Sequence, residues 1–167
     1  MKRFILTLTL ILGVAFAASA QNYAVVNSEK IFKSIAKYNE AITELDKLAN
    51  DYQTKVDAKF EEVEKLYNYM QRRSQLSAAS QAANEENILK LEQEATEYQE
   101  SIFGTEGTLM QKRLELIQPI QKEVFAAIEK YAKQKGYDMI IDISQNATML
   151  YYSERVDHTD EIIESLK

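Results

Sequence analysis

Residues 28–70 read SEKIFKSIAKYNEAITELDKLANDYQTKVDAKFEEVEKLYNYM, and the spacing of their apolar positions decides the fold. Ile31, Ile35, Tyr38, Ile42, Leu45, Ala49, Tyr52, Val56, Val63, Leu66 and Met70 alternate steps of four and three, with only Lys59 interrupting. That is a repeat of about 3.5 residues, the signature of a helix packed lengthwise on another helix. The outgoing stretch runs from Ser28 to about Gln81, and its return from about Asn84 to Gln134. On the return, Ile88, Leu91, Ala95, Tyr98, Ile102 and Leu109 restore the rhythm, with Thr105 as the gap. Residues 77–84, SAASQAAN, are small and polar and carry no apolar stripe, so they are expected to form the tip of an antiparallel helical hairpin. At about 1.5 Å per residue, a limb of ~45 residues would reach roughly 70 Å.

Working outward, the N-terminus reads as an export signal. Met1-Lys2-Arg3 is basic, Phe4 to Phe16 is apolar, and Ala18-Ser19-Ala20 is a small-x-small cleavage box. The apolar run is short for a membrane span. Residues 1–20 are therefore expected to be removed, giving a periplasmic, soluble chain that starts at Gln21. There is no cysteine, hence no lipidation box and no disulfide, so packing alone must hold the fold. Loss of Lys2 and Arg3 takes the formal charge from −6 to −8. An acidic chain is a poor partner for a nucleic-acid backbone, which needs a basic face. Arg72-Arg73, the adjacent basic pair near the tip, reads as a solvated helix surface.

In chain order, Tyr23-Ala-Val-Val-Asn27 is β-prone and Ser28 is a candidate N-cap. In the return limb, Gly104 and Gly107 weaken the helix, and beyond them the apolar phase moves to Met110, Leu114, Ile117, Val124, Ile128 and Tyr131, a stutter. Pro119 should kink the helix or open a new one. Lys133, Lys135 and Gly136 predict a helix end with a left-handed cap. Tyr137–Ile143 and Thr148–Tyr152, rich in β-branched and aromatic residues, flank the turn-prone residues 144–147 and predict a β-hairpin. Asp157-His-Thr-Asp160 offers N-caps for a last helix with Ile162, Ile163 and Leu166 on its apolar stripe.

The expected fold is mainly α with a small β body. Residues 21–35 plus 115–167 form an α+β oligomerisation body, and residues 36–114 form the coiled-coil arm. A body of under ~70 residues without disulfides has a marginal core, and its strands leave open edges. Both deficits vanish if several copies pool their strands. Val25, Ile141, Ile143 and Leu150 are the expected core of that assembly.

Chemistry finds no foothold. His158, the one histidine, stands at a helix start and reads as a surface residue. There is no cysteine nucleophile, phosphate-cradling glycine loop or metal-ligand pair, and the adjacent carboxylates Glu61-Glu62 and Glu85-Glu86 point to different faces of a helix. No enzyme and no cofactor is expected.

Several of these residues together resemble a known family. They are the export signal, Tyr23-Ala-Val-Val-Asn-Ser-Glu-Lys-Ile-Phe32, the long charged hairpin, Gln118-Pro119-Ile120, Ala127-Ile128 and Lys135-Gly136-Tyr137-Asp138. Ile140-Ile141-Asp142, Leu150-Tyr151-Tyr152 and Asp157-x-Thr159-Asp160 complete the set. The chain resembles the Skp/OmpH family of periplasmic chaperones for outer-membrane proteins. The resemblance implies a homotrimer whose strands form one central body, with three helical arms enclosing a cavity that holds unfolded outer-membrane proteins without ATP. The chain departs from the family in charge. Well-known members are basic, and their positive arms are linked to lipid and lipopolysaccharide contact. This chain is acidic, so no lipid or lipopolysaccharide site is carried over.

Apolar residues off the packing seam are the ones free to touch a client. Phe60 and Tyr67 share one helix face, Leu89 and Phe103 share another, and Tyr69 also lies off the stripe. The alternative is that they broaden the hairpin's own core or touch a neighbouring arm. Gly104 and Gly107 are hinge candidates, against the alternative that a glycine permits close approach of the opposing backbone near Tyr52 and Val56. The rival function is a structural coiled-coil spacer or adaptor of the cell envelope.

Overall fold

The computed structural model describes residues 22–73, 77–145 and 148–167. The leader assigned to residues 1–20 and positions 146–147 of the expected turn lie outside the described residues. In chain order the elements are β1 (Tyr23–Val26), α1 (Ser28–Ser34), α2 (Ala36–Arg72), α3 (Ala78–Phe103), α4 (Thr108–Lys135) and β2 (Met139–Asp142). A 3-10 turn (Glu154–Val156) and α5 (Thr159–Ser165) follow. The protein is mainly helical with a small two-stranded sheet. It divides into two compact units, one of residues up to Ile35 with Lys122–Lys167, the other Ala36–Gln121.

In the first unit, β1 and β2 pair in parallel, Tyr23 opposite Met139 through Val26 opposite Asp142. Ala24, Val25 and Val26 are all buried, an unbroken apolar run of the kind a strand covered on both faces requires. Val25 also bridges to Asp157, whose neighbour His158 donates its backbone N–H to the Val25 carbonyl at 3.0 Å. The hairpin expectation is therefore corrected. Residues 139–142 take their partner from the far end of the chain, and Leu150–Tyr152 form no strand. Leu150 and Tyr151 are 95% and 83% exposed.

The core of this unit gathers Val26, Ile31, Val124, Tyr131 and Ile162, with Phe32, Ile35, Ile128, Tyr137, Ile140, Ile163 and Leu166 packed around it. Fully burying each large aliphatic side chain contributes about 1.5–3 kcal/mol. The N-cap of α1 is Asn27, not Ser28: its side chain accepts from the Lys30 N–H at 2.9 Å. Asparagine caps at least as well as serine, and here its backbone N–H is also taken, by Thr159 Oγ1 at 2.9 Å. Ser28 instead meets Asp142, giving its N–H to Oδ1 at 3.1 Å. Gly136 ends α4 at φ +72°, with the Tyr137 N–H on the Ala132 carbonyl at 2.9 Å, the left-handed cap that Lys133-x-Lys135-Gly136 predicts.

In the second unit, α2 packs on α3. Ala41, Leu45, Val56 and Val63 are buried on α2, and Ile88, Ala95 and Ile102 on α3; all but Ala41 are residues of the expected seam. At the polar gap, the Lys59 ammonium lies 5.3 Å from the centre of the Tyr98 ring, a cation–π contact. The outgoing stretch is broken at Ile35, whose extended backbone (φ −91°, ψ 117°) separates α1 from α2. The residues of the expected tip from Ala78 onward are helical. Ala78 to Asn84 are the first turns of α3, opened by Ser77, whose hydroxyl accepts from the Ser80 N–H at 3.3 Å. Alanine is the best helix former, so a cap at Ser77 suffices to make this stretch helical. Of the apolar phase expected beyond the glycines, Ile117, Val124 and Tyr131 are buried and Ile128 is half-buried; Met110 and Leu114 are exposed, and Ile120 joins the buried set. Pro119 opens no new segment; it lies inside the continuous α4, which forgoes one backbone hydrogen bond there.

Candidate functional site

Heptad packing buries one stripe of a helix and leaves the rest to solvent. Phe60, Tyr67, Tyr69, Leu89 and Phe103 all lie outside the buried stripe, with Tyr67 53% and Leu89 66% exposed. Tyr67 and Leu89 come together where α2 ends and α3 begins. With Met70, Ile88, Glu85 and Glu92 they line an open cleft of about 640 Å³, completed by Gln71, Arg73 and Gln81. Phe60, Tyr69 and Phe103 do not line it.

Met70 and Ile88 are the additions that sequence pattern missed, because both occupy seam positions and read as core. Ile88 is buried and Met70 half-buried, so both keep a seam position while lining the cleft. Arg73 is not simply solvated: its guanidinium carbon sits 4.6 Å from the centre of the Tyr69 ring.

The glycine pair sits in a break between helices. α3 ends at Phe103, Gly104 and Gly107 lie in the turn, and α4 starts at Thr108. A Cβ at Gly104 would lie 2.5 Å from the Glu100 carbonyl oxygen, and one at Gly107 2.5 Å from that of Ile102. The close approach that demands glycine is thus to the turn just before, not to Tyr52 and Val56.

His158 is a second correction. It is no surface residue, its side chain being only 16% exposed. Tyr131 Oη lies 3.0 Å from Nδ1 and Tyr137 Oη 2.7 Å from Nε2, with Glu161 Oε1 3.1 Å from Nδ1. Burial pushes the Tyr131 hydroxyl up from its ordinary value, helped by the charge of Glu161 and by Tyr137. This box ties the end of α4 to the start of α5. On β2, Asp142 is desolvated, which opposes its charge. Hydrogen bonds from Ser28 and Ser144 outweigh that and hold its carboxyl below the usual range.

Of the expected assembly residues, Val25 is fully covered by its own chain, Ile141 and Ile143 are half-buried, and Leu150 stands almost bare. Among the described residues no helix is long and apolar enough to cross a membrane.

The family model described as outer membrane protein (OmpH-like) matches residues 22–166. The chain belongs to the OmpH-like family. The match includes residues of both units. An uncharacterized protein of Aquifex aeolicus (strain VF5) is 27% identical over 166 residues, which cover 99% of this chain and 96% of that protein. The OmpH-like family is a periplasmic chaperone family rather than an enzyme family, and its proteins bind outer-membrane protein substrates.

Proposed function

We propose that this protein is an ATP-independent periplasmic holdase that keeps unfolded outer-membrane proteins from aggregating. The observation that carries it is the set of apolar side chains the second unit leaves uncovered: Phe60, Tyr67, Tyr69, Leu89 and Phe103, with Tyr67 and Leu89 meeting over a cleft floored by Met70 and Ile88. A surface mixing tyrosine, methionine and leucine adapts to clients of different shape. The arm is an antiparallel hairpin. Lys59 beside Tyr98, and Tyr67 with Met70 beside Ile88 and Leu89, support that direction, since contacts advance along α2 as they retreat along α3.

Three copies assemble through the β body, with clients held between their arms. The number three rests on the family resemblance. Support for assembly comes from Leu150 and Tyr151, adjacent β-prone residues that are 95% and 83% exposed and belong to no strand among the described residues. Gly104 and Gly107 serve as a hinge at the break in the return limb.

The test is light scattering of a barrel protein diluted from denaturant, with and without this protein. Suppression is expected, and Phe60→Ser with Tyr67→Ser should weaken it while helical CD and assembly mass persist. A defined folded partner and no effect on scattering would instead make the protein a structural spacer of the envelope.

A further inference from the structure

The cleft at the end of α2 and α3 carries charge as well as apolar surface. Along one face of α2 run Phe60, Glu64, Tyr67 and Gln71, at helical spacings of four, three and four. Along the facing stripe of α3 run Glu85, Leu89 and Glu92. Tyr67, Glu85, Leu89 and Glu92 of these line the cleft, and Phe60 and Glu64 lie one to two turns before Tyr67 on the same α2 face.

These carboxylates are free among the described residues. Lys65 is taken by Glu61 at 2.7 Å, and Lys90 lies 3.9 Å from Glu94, so the nearest lysines along the chain turn to other partners. Glu64, Glu85 and Glu92 are exposed and in no ion pair there. Arg73, the cation lining the cleft, has its guanidinium over Tyr69. The whole second unit carries ten basic side chains against sixteen acidic ones, so the local sign is not offset by its surroundings.

We infer that this cleft binds cationic-apolar segments of unfolded chains, in which lysine or arginine stands next to an aromatic or large aliphatic residue. The inference rests on the holdase reading and adds the class of segment held. The apolar side chain enters over Met70 and Ile88, between Tyr67 and Leu89, while the cation next to it meets Glu64, Glu85 or Glu92. Each exposed ion pair strengthens binding by a factor of roughly two to three and is weakened by salt. Acidic-apolar segments meet like charge and are excluded.

The experiment uses the full mature chain and three fluorescent peptides with the same aromatic and leucine residues, interleaved by lysine, serine or glutamate. Anisotropy at low salt should rank them lysine, then serine, then glutamate, and raising the salt should close the gap. Replacing Glu64, Glu85 and Glu92 by glutamine should weaken the lysine peptide about tenfold, the product of three such factors, and leave the serine peptide unchanged. Tyr67→Ser with Leu89→Ser should weaken the lysine and serine peptides alike. These exposed substitutions leave the seam intact, which helical CD checks.

Equal binding of the three peptides, or a glutamine variant that binds the lysine peptide as before, would overturn the inference. So would a cleft already covered by a second copy, seen as a fall in sedimenting mass on Tyr67→Ser with Leu89→Ser. Suppression of barrel-protein aggregation without charge preference sinks the inference and leaves the holdase standing. Charge-selective peptide binding without suppression upholds the cleft and sinks the holdase.

Discussion

Replacing Gly104 and Gly107 by alanine separates two physical effects of opposite sign. In an unstrained site, glycine to alanine stabilises by about 0.4–1 kcal/mol, because the unfolded chain loses freedom. Neither site is unstrained. At Gly104 the new methyl would meet the Glu100 carbonyl oxygen at 2.5 Å, and at Gly107 it would meet the Ile102 carbonyl oxygen at 2.5 Å and its carbon at 2.7 Å. The obstructing atoms are backbone, and the Gly104 N–H is bonded to that same Glu100 oxygen at 2.8 Å, so relief must move a helix end. Overpacking of this kind typically costs about 1–3 kcal/mol. The clash outweighs the entropy gain, and each replacement should destabilise by roughly 1–2 kcal/mol. Gly136 makes the control. A Cβ there meets nothing within 4 Å, but the backbone stands at φ +72°, so Gly136→Ala should cost about 1 kcal/mol and Gly136→Asn less. Urea unfolding followed by helical CD reads all four. A midpoint that rises in the Gly104→Ala, Gly107→Ala double variant would refute the reasoning and show that the break can close into one helix. Distances between spin labels on either side of the break then report motion: a hinge requires a broad distribution that narrows on helix closure.

Two further outcomes follow from other parts of the molecule. Asp142 has its folded value held below the ordinary one, so its contribution to stability is present in full above the ordinary carboxylate range and is lost as pH falls through the depressed value. Urea midpoints measured downward from neutral pH should fall in that acid window, and Asp142→Asn should flatten the slope; an unchanged slope would discharge Asp142 from the role. Leu150→Asp places a charge on a side chain that is 95% exposed in its own chain, so any effect must come through another copy. Sedimentation should show loss of assembly with helical CD retained, and an unaltered assembly mass would remove Leu150 from the interface.

What the sequence made legible was local periodicity. Heptad spacing picked out Leu45, Val56, Val63, Ile88, Ala95 and Ile102, which the structure buries, because facing a partner helix is a property of neighbours three and four apart. Gly136 was legible for a similar reason, a left-handed cap being a matter of a few adjacent residues. Partner choice over distance was not. Nothing within Tyr137–Tyr152 says that Met139–Asp142 will pair with Tyr23–Val26 rather than with its near neighbour, since both options satisfy β propensity equally. The His158 box escaped for the same cause: Tyr131, Tyr137 and Glu161 converge only once α4 has turned at Gly136 and the chain has returned along β1. At the cleft, Tyr67 and Leu89 were legible as off-seam residues. Their meeting, and the part played by Met70 and Ile88, depended on where α2 and α3 end.

A chaperone of this kind has to show apolar surface to clients without sticking to itself. The arrangement in the second unit bears on that problem. Phe60 and Tyr67 are separated on their face by Glu64, and Leu89 is flanked by Glu85 and Glu92, so no two of these apolar side chains adjoin along a helix stripe. Interspersed charge of one sign makes two such faces repel, whereas a continuous apolar patch would draw them together. The first unit solves the reverse problem. There Leu150 and Tyr151 stand side by side, bare and without an intervening charge, on a stretch of high β propensity. Exposed β-prone apolar residues of this kind favour pairing with another chain. The chain thus carries two kinds of exposed apolar surface, one broken up by charge and one not, and the proposed reading assigns passing clients to the first and another copy to the second.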